Sequence, residues 1–292
     1  MAKDRRQFLQ LASGAALAAT ATAIAAPAVG AADSDWQAGK RMLLGHFAGL
    51  GYFERPSLDL ITLNEFNDGL RYDDTTGAPN AGKAMWLQTC GRVEDIATKG
   101  GPGVLAGFHM FALRNGSPAF EGELLNQVLA FLTRRAGLPP SRLVLVSTEW
   151  FAPYKAVLAP YGIAPDQVVL RPVAEAMAAG DGSGHFSPKG HNLMPQVPTV
   201  SIHFVTDGGP ASGRRYPLSG AIELAEISLR AGPKRDMVSQ ESALGLDRLL
   251  MAQGKTVDDF DQSRRKLLRA ISDEAKRRGV PVPEAYGTFE AA

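Results

Sequence analysis

Apolar positions in the first part of the chain follow the spacing of an amphipathic helix. Five of them recur on one helical face: Trp36, Met42, Leu43, Phe47 and Leu50. This spacing predicts a helix over residues 35–50, with glycines at positions 49 and 51 marking its end. Residues 68–83 are rich in Asp, Thr, Gly and Pro, and this composition predicts a loop.

The middle of the chain alternates between strand and helix patterns. Residues 104–113 predict a strand, and the Ser117-Pro118 pair predicts the start of a helix. That helix would present one apolar face, formed by Leu124, Leu125, Val128, Phe131 and Leu132. Further along, the pattern predicts a strand at residues 143–147, a helix through Tyr154 and Leu158, and a strand at residues 168–170.

The last third predicts two more strands and two helices after a glycine-rich loop at residues 180–190. Residues 199–205 and 221–229 have the alternation of half-buried strands. Leucines at positions 244, 246, 249 and 250 predict a helix over residues 242–251, and residues 256–259 cap a charged helix that runs to about Arg278. Because the predicted elements do not repeat as βαβ units, the fold class predicted is α+β, an antiparallel sheet flanked by helices.

The first 32 residues have the pattern of a twin-arginine signal peptide. Arg5 and Arg6 precede Phe8-Leu9 and an Ala- and Thr-rich run that ends in small residues near Ala32. The alternatives are an Ala-rich buried helix or a membrane anchor, but Gly14, Pro27 and Gly30 interrupt the run and bulky apolar residues are few. We expect residues 1–32 to be the signal, recognised by the twin-arginine export machinery. Residues 33–292 would then be one periplasmic domain without a stable membrane anchor.

Composition narrows the possible partners. The chain has 31 Lys+Arg and 30 Asp+Glu; residues 1–32 contain Lys3, Asp4, Arg5 and Arg6, so 28 basic and 29 acidic residues remain, a formal charge of −1. Such a domain has no global basic field that would hold a nucleic acid. The single cysteine, Cys90, excludes an intrachain disulfide framework and is best interpreted as a core thiol.

Residues 243–250 read Ala-Leu-Gly-Leu-Asp-Arg-Leu-Leu. Taken alone, this run is an apolar helix start with a charged pair. It nevertheless resembles motif 3 of class II aminoacyl-tRNA synthetases, in which the arginine contacts the terminal phosphate of ATP. A guanidinium suits that task because it offers a forked pair of donors to phosphate oxygens.

Five upstream segments resemble the catalytic core of alanyl-tRNA synthetases in the same order. They are residues 87–92, 108–115, 138–146, 162–169 and 197–204. The second segment resembles a motif 2 strand, and the last resembles the family's Gly-Pro-Cys-Ser-Glu-Ile-His-Tyr strand. Together with motif 3, the resemblance covers roughly residues 40–262. It implies an antiparallel sheet of six or seven strands with a pocket for ATP and alanine.

This chain departs from the family at several charged positions. No basic residue stands at residues 105–107, where the motif 2 arginine falls, and Phe111 replaces an acid. Ser201 replaces a glutamate, and the family's aspartate before motif 3 is displaced to Glu241 in this chain. Adenylate formation needs cations around the α-phosphate. The resemblance with these losses therefore predicts a degenerate domain that binds an amino acid or related metabolite and does not charge tRNA.

The alternative activity is an ATP-dependent amino-acid-activating ligase of the alanine–tRNA ligase type, with ATP as cofactor by resemblance only. No catalytic residue is assigned in either interpretation. The candidates for contact with a ligand or nucleotide are Arg92, Arg114, Asn115, Glu223, Glu241, Gly245, Asp247 and Arg248.

Histidines suggest a second alternative, a periplasmic metal-binding or maturation factor. Imidazoles that converge on one point bind Zn or Cu, and the candidate ligands are His109, His185, His191 and His203, with Cys90 as a possible further ligand. The competing interpretation is that these histidines lie in ordinary polar loops and strands.

Overall fold

The computed structural model describes residues 34–57, 59–62, 65–66, 82–116, 118–186, 197–229, 232–234 and 237–291. The proposed signal at residues 1–32, His191 and residues 68–81 of the predicted loop lie outside these ranges. Within the described ranges, no helix combines the length and apolar content needed to cross a membrane.

Six α-helices occur among the described residues. They are α1 (Asp35–Ala48), α2 (Glu123–Ala130), α3 (Val173–Ala179), α4 (Leu246–Ala252), α5 (Phe260–Arg278) and α6 (Ala285–Ala291). A π-helical turn, Phe131–Arg135, continues α2. The longest helix, α5, begins with a capping box in which the Asp259 carboxylate accepts from the Gln262 main chain and the Gln262 side chain accepts from the Asp259 main chain.

The described strands are β1 (Phe53–Glu54), β2 (Ile61–Thr62), β3 (Glu65–Phe66), β4 (Lys83–Gly91), β5 (Gly107–Asn115), β6 (Leu143–Ser147), β7 (Val168–Leu170), β8 (His185–Phe186), β9 (Val197–Val205), β10 (Ala221–Ser228), β11 (Gly232–Lys234) and β12 (Met237–Gly245). The main sheet has the order β1-β4-β5-β12-β10-β9-β6-β7. Its pairs are antiparallel except β1 with β4 and β6 with β7 at the two edges. The predicted fold class, an α+β antiparallel sheet flanked by helices, is confirmed.

The predicted helix over residues 242–251 is wrong in its first four residues. Residues 242–245 end strand β12, where Ser242 pairs with Leu113 and Leu244 pairs with Phe111 of β5. Helix α4 begins only at Leu246. The leucine spacing misled the prediction because Leu244 satisfies a helical pattern equally well. The strand β12 therefore lies between β5 and β10 in the sheet.

Two other predicted elements differ in detail. The chain through Tyr154 forms 3₁₀ turns over Glu149–Val157, with Pro153 inside them, and Pro lacks the N–H that an α-helix needs. The predicted glycine-rich loop contains the short strand β8, which pairs with β9.

One face of the main sheet carries the larger hydrophobic core. Alternate residues of the central strands, including Phe111, Ile202 and Leu244, pack there against Leu43 and Phe47 of α1 and against apolar residues of α2 and α4. A second core forms between α5, α6, the segment at Leu60–Ile61 and Ala106. Because successive strand residues point to opposite sides, the residues between the core positions face the other side of the sheet.

Gly107 sets the distance between the sheet and α5. A Cβ at this position would lie 2.9 Å from the Leu267 Cβ and 3.0 Å from the Ser263 carbonyl oxygen. Ser263 also forms a hydrogen bond to the residue before β5, since its Oγ accepts from the Ala106 main-chain N–H at 3.1 Å. Only a residue without a side chain allows the helix to pack so closely.

We predict that Gly107→Ala lowers the free energy of unfolding by about 1–3 kcal/mol, because α5 must move away from the sheet. The control is Gly45→Ala in α1, where nothing lies within 4 Å of the added Cβ. That change should raise stability by about 0.5–1 kcal/mol through helix propensity. Urea unfolding of both variants measures the difference. Equal effects of the two substitutions would contradict the packing described here.

Candidate functional site

The side of the sheet opposite the larger core is lined by polar residues of the central strands, and we call it the polar face. Cross-strand pairs place its members: Glu226 lies opposite Ala243, Glu223 opposite His203, Glu226 opposite Ser201, and Glu241 opposite Arg114. Residues directly opposite each other in a sheet share a face. The polar face therefore carries both acids and bases from four adjacent strands.

A β-bulge in β10 brings two acids to this face. Glu223 pairs with His203, whereas Ala225 pairs with the next residue of β9, so the register shifts between Glu223 and Ala225. Without the shift, residues three apart in a strand would point to opposite sides. The bulge realigns the strand so that Glu223 and Glu226 face the same side, a device that often occurs next to functional sites.

A shallow pocket lies at one end of the polar face. It is lined by Arg92, Phe108, Met110, Gly245, Asp247 and Arg248. The Arg248 Nε donates to the Gly103 carbonyl at 3.1 Å, and its Nη1 lies 3.5 Å from the Glu223 carbonyl. The Arg92 guanidinium lies 5.6 Å from the centre of the Phe108 ring, a cation–π geometry. Two guanidinium groups and one aromatic ring thus surround the pocket.

Glu226 lies between this pocket and a glycine-rich turn. Burial, with the nearby Glu223 carboxylate, raises the pKa of Glu226 to about 8, although the Arg92 charge opposes the shift. No hydrogen bond from a described residue reaches its carboxyl group. Gly182, with φ of +83°, closes over the carboxyl, and a Cβ there would collide with it. The raised pKa favours the protonated form of Glu226 at neutral pH, and its carboxyl group lies in a space that only a glycine leaves open.

His203 belongs to a buried hydrogen-bonded chain on the same face. Its Nε2 lies 2.8 Å from the Ser201 Oγ, which in turn lies 2.9 Å from the Ser183 Oγ. Burial lowers the pKa of His203; the Glu223 and Asp181 charges oppose this shift, and the Arg248 charge adds to it. A neutral imidazole is consistent with this surrounding.

The turn that carries Ser183 is anchored by Asp181. This carboxylate accepts from Arg171 Nη1 at 2.8 Å, from the Tyr216 hydroxyl at 3.0 Å and from the Ser183 main chain at 3.0 Å. Because Asp181 is fixed by three donors, the turn holds Gly182 against Glu226 and Ser183 against Ser201. Its negative charge adds to the acidic end of the polar face.

Most of the predicted ligand-contacting residues lie on the polar face. Arg92, Gly245, Asp247 and Arg248 line the pocket itself. Glu223, Glu241 and Arg114 lie on the same face outside the pocket lining. Arg114 is only 3% exposed, and its Nε lies 3.7 Å from the Glu241 carboxylate.

Asn115 is the exception among these candidates. It follows Arg114 in β5, and strand alternation turns it to the opposite side of the sheet. There its side chain hydrogen-bonds to Glu123 of α2. Asn115 therefore lies apart from the other candidates and ties the sheet to the helix that covers the core.

The structure does not bring the predicted metal ligands together. His109 lies on the helical side of β5 beside Asp247 and Trp36, whereas His203 is on the polar face. His185 is buried and its ring lies near Trp150, with burial lowering its pKa. No group of three His, Cys, Asp or Glu side chains that would hold a metal ion occurs in the part of the chain that the structure describes, which does not include His191.

Sequence reasoning missed Glu226, Gly182, Ser183 and Asp181. The two glutamates of β10 are three residues apart, and a strand pattern places such residues on opposite faces unless a bulge intervenes. The glycine and serine of the 181–184 turn read as ordinary loop residues. The signals that this region faces the site were Glu223 and His203, both predicted in strands.

Comparison with known proteins gives a likeness at the level of the fold. No family model matches the chain, and no curated protein matches it. Among solved structures, the chain is similar to apo S. aureus histidyl-tRNA synthetase at 15% sequence identity. The alignment covers 84% of this chain and 77% of that chain, with a TM-score of 0.45.

Proposed function

We propose that this protein is exported and binds a small zwitterionic ligand, an amino acid or related metabolite, on the polar face, and that it does not charge tRNA. The observation that carries the proposal is the opposition of charges on one surface. Arg92 and Arg248 line the pocket, and Glu223 and Glu226 lie close enough for Glu223 and Arg92 to shift the pKa of Glu226.

Each end of this surface suits one end of such a ligand. A guanidinium binds a carboxylate through two parallel hydrogen bonds, so Arg92 and Arg248 suit the acid of the ligand. An ammonium group that approaches Glu223 and Glu226 would favour ionisation of the Glu226 carboxyl and supply the donors it lacks. Phe108 and Met110 supply the apolar wall that ligand pockets ordinarily contain.

The surroundings of the motif 2 position argue against adenylate formation. Leu105 and Ala106 are buried, and Gly107 is packed against α5, so no cation occupies the place of the family's motif 2 arginine. The nearest arginine along the strand, Arg114, is buried beside Glu241. Loss of one positioned donor typically costs about 10²–10³ in rate.

Arg248 keeps one alternative open, the amino-acid-activating ligase, because it lines the pocket as a phosphate-binding arginine would. The two functions differ in one reaction. Amino-acid-dependent exchange of pyrophosphate into ATP by the mature protein would establish the ligase and refute the proposed function. We expect no exchange.

We predict that Arg248→Gln weakens binding of the amino acid that most raises the melting temperature in a thermal-shift screen. The loss should be about tenfold to hundredfold in Kd, the equivalent of a charge-assisted hydrogen bond. Calorimetric titration measures it. The control is Arg277→Gln, since Arg277 is an exposed partner of Asp59 at the end of α5. Equal affinity in the Arg248→Gln and Arg277→Gln variants would place the ligand elsewhere.

Glu226 gives a prediction for pH. Its raised pKa means that the folded protein retains a proton that the unfolded chain releases, so this carboxyl makes stability fall as pH rises from about 4.5 to about 8. Glu226→Gln should remove that fall, whereas Glu175→Gln, an exposed control in α3, should keep it. Thermal unfolding across this pH range tests it. Parallel curves for the wild type and Glu226→Gln would contradict a protonated Glu226.

The proton on Glu226 also makes ligand affinity depend on pH. An amine-bearing ligand requires an ionised Glu226, so its affinity for the wild type should rise as pH rises toward about 8. The slope should vanish in Glu226→Gln, which makes this variant a test of the ligand's cationic end.

Export is tested separately from binding. We predict that Arg5→Lys with Arg6→Lys leaves the precursor in the cytoplasm, because the twin-arginine machinery reads both arginines. The unaltered chain, and a Lys3→Gln control that keeps the pair, should appear in the periplasm without residues 1–32. Fractionation and N-terminal sequencing provide the measurement. Export of the double variant at the wild-type level would overturn this part of the proposal.

A further inference from the structure

Asp247 connects the pocket to the opposite side of the sheet. It lies in the first turn of α4 and lines the pocket, yet its Oδ2 also accepts from the His109 main chain at 2.6 Å. Both carboxylate oxygens lie 3.2–3.3 Å from the His109 Nδ1. Because Phe108 and Met110 line the pocket, strand alternation directs the intervening His109 side chain to the helical side.

The His109 Nδ1 has a second neighbour. The Trp36 Nε1 lies 3.2 Å from the same nitrogen, and the two rings meet edge to face with centres 4.8 Å apart. An indole N–H only donates, and an ionised carboxylate only accepts. One nitrogen cannot accept from Trp36 and donate to Asp247 at the same time. The two hydrogen bonds are therefore mutually exclusive states of one imidazole.

We propose that His109 is a positioning residue that couples occupancy of the pocket to helix α1. In one state the His109 Nδ1–H donates a hydrogen bond to Asp247. In the other state Nδ1 is unprotonated and accepts a hydrogen bond from the Trp36 indole N–H. The proposal rests on the proposed function for its ligand. In the empty pocket, the charge-assisted bond to Asp247 is the stronger of the two, so Nδ1 carries the proton. The main-chain bond from His109 holds Asp247 in both states.

Ligand binding reverses the preference. The ligand's ammonium group has three N–H donors. One that donates to Asp247, beside those that face Glu223 and Glu226, competes with the His109 Nδ1–H for the Asp247 carboxylate. The imidazole then carries its proton on Nε2, and Nδ1 accepts from Trp36 of α1. The number of protons on the imidazole is unchanged, because Nδ1 releases its proton to solvent and Nε2 takes up a proton from solvent. His109 is partly exposed, which gives solvent access to the ring.

Nuclear magnetic resonance with ¹⁵N-labelled histidine and tryptophan tests this inference, near pH 8, where an ordinary histidine is neutral. The probe that needs no ligand is Asp247→Ala, in which Nδ1 loses its carboxylate. We expect the His109 Nδ1 to change from a protonated to an unprotonated ¹⁵N shift and the Trp36 indole signal to move. The Trp86 and Trp150 indole signals serve as internal controls, and Trp36→Phe and His109→Gln assign the two signals.

Asp247→Asn is the second variant, because it keeps an oxygen for the His109 main chain if the alanine variant does not fold. It should give the same unprotonated Nδ1. An unchanged His109 tautomer in the variant that folds, or an unmoved Trp36 indole signal in Asp247→Ala, would overturn the coupling.

L-alanine serves as the ligand probe. In the wild type it should move the Trp36 indole signal in the direction produced by Asp247→Ala, and in His109→Gln it should bind without moving that signal. Movement that persists in His109→Gln would overturn the role of His109. If L-alanine perturbs no pocket residue, the result counts against the proposed ligand class, and the tautomer measured in the Asp247 variants still decides the coupling.

Discussion

The two-sided alternation of the central strands is the constraint on which the rest of the structure depends. The larger core requires every second residue of β5, β12, β10 and β9 to pack against α1, α2 and α4. The intervening residues are then fixed on the polar face in positions set by strand register. A one-residue slip in any of these strands would exchange core and polar side chains, so hydrophobic burial enforces the geometry of the site.

The bulge in β10 is the single break in that alternation that the site uses. It places Glu223 and Glu226 on one side, and the turn held by Asp181 presses Gly182 against the second carboxyl. Two like charges close together are costly, and the raised pKa of Glu226 favours its protonated form, which lowers that cost. That neutral acid has no donor from the described residues, and a cationic ligand group would supply one. Arg92 and Arg248 balance the charge at the pocket end.

Sequence patterns gave the fold class because long periodic segments dominate it. The strand at residues 199–205 and the helix capped by Asp259 were visible from alternation and from a capping box. The boundary at Gly245 was not, since leucines at positions 244 and 246 fit either a strand end or a helix. Asp247 and Arg248, which line the pocket, were candidates from the sequence because both belong to the local motif at residues 243–250. Glu226 was missed because its face depends on a bulge, which is a tertiary feature. Asn115 lies on the opposite side of the sheet from Arg114 because successive strand residues alternate.

Chemical-shift mapping with a mixture of the standard amino acids tests the central claim, that the polar face binds a small zwitterion, most directly. The account predicts that backbone amides at Arg92, Phe108, Gly245 and Asp247 shift with saturation, whereas amides of α5 and α6 stay in place. Shifts confined to α5 and α6, or no shift on the polar face at millimolar amino acid, would contradict it.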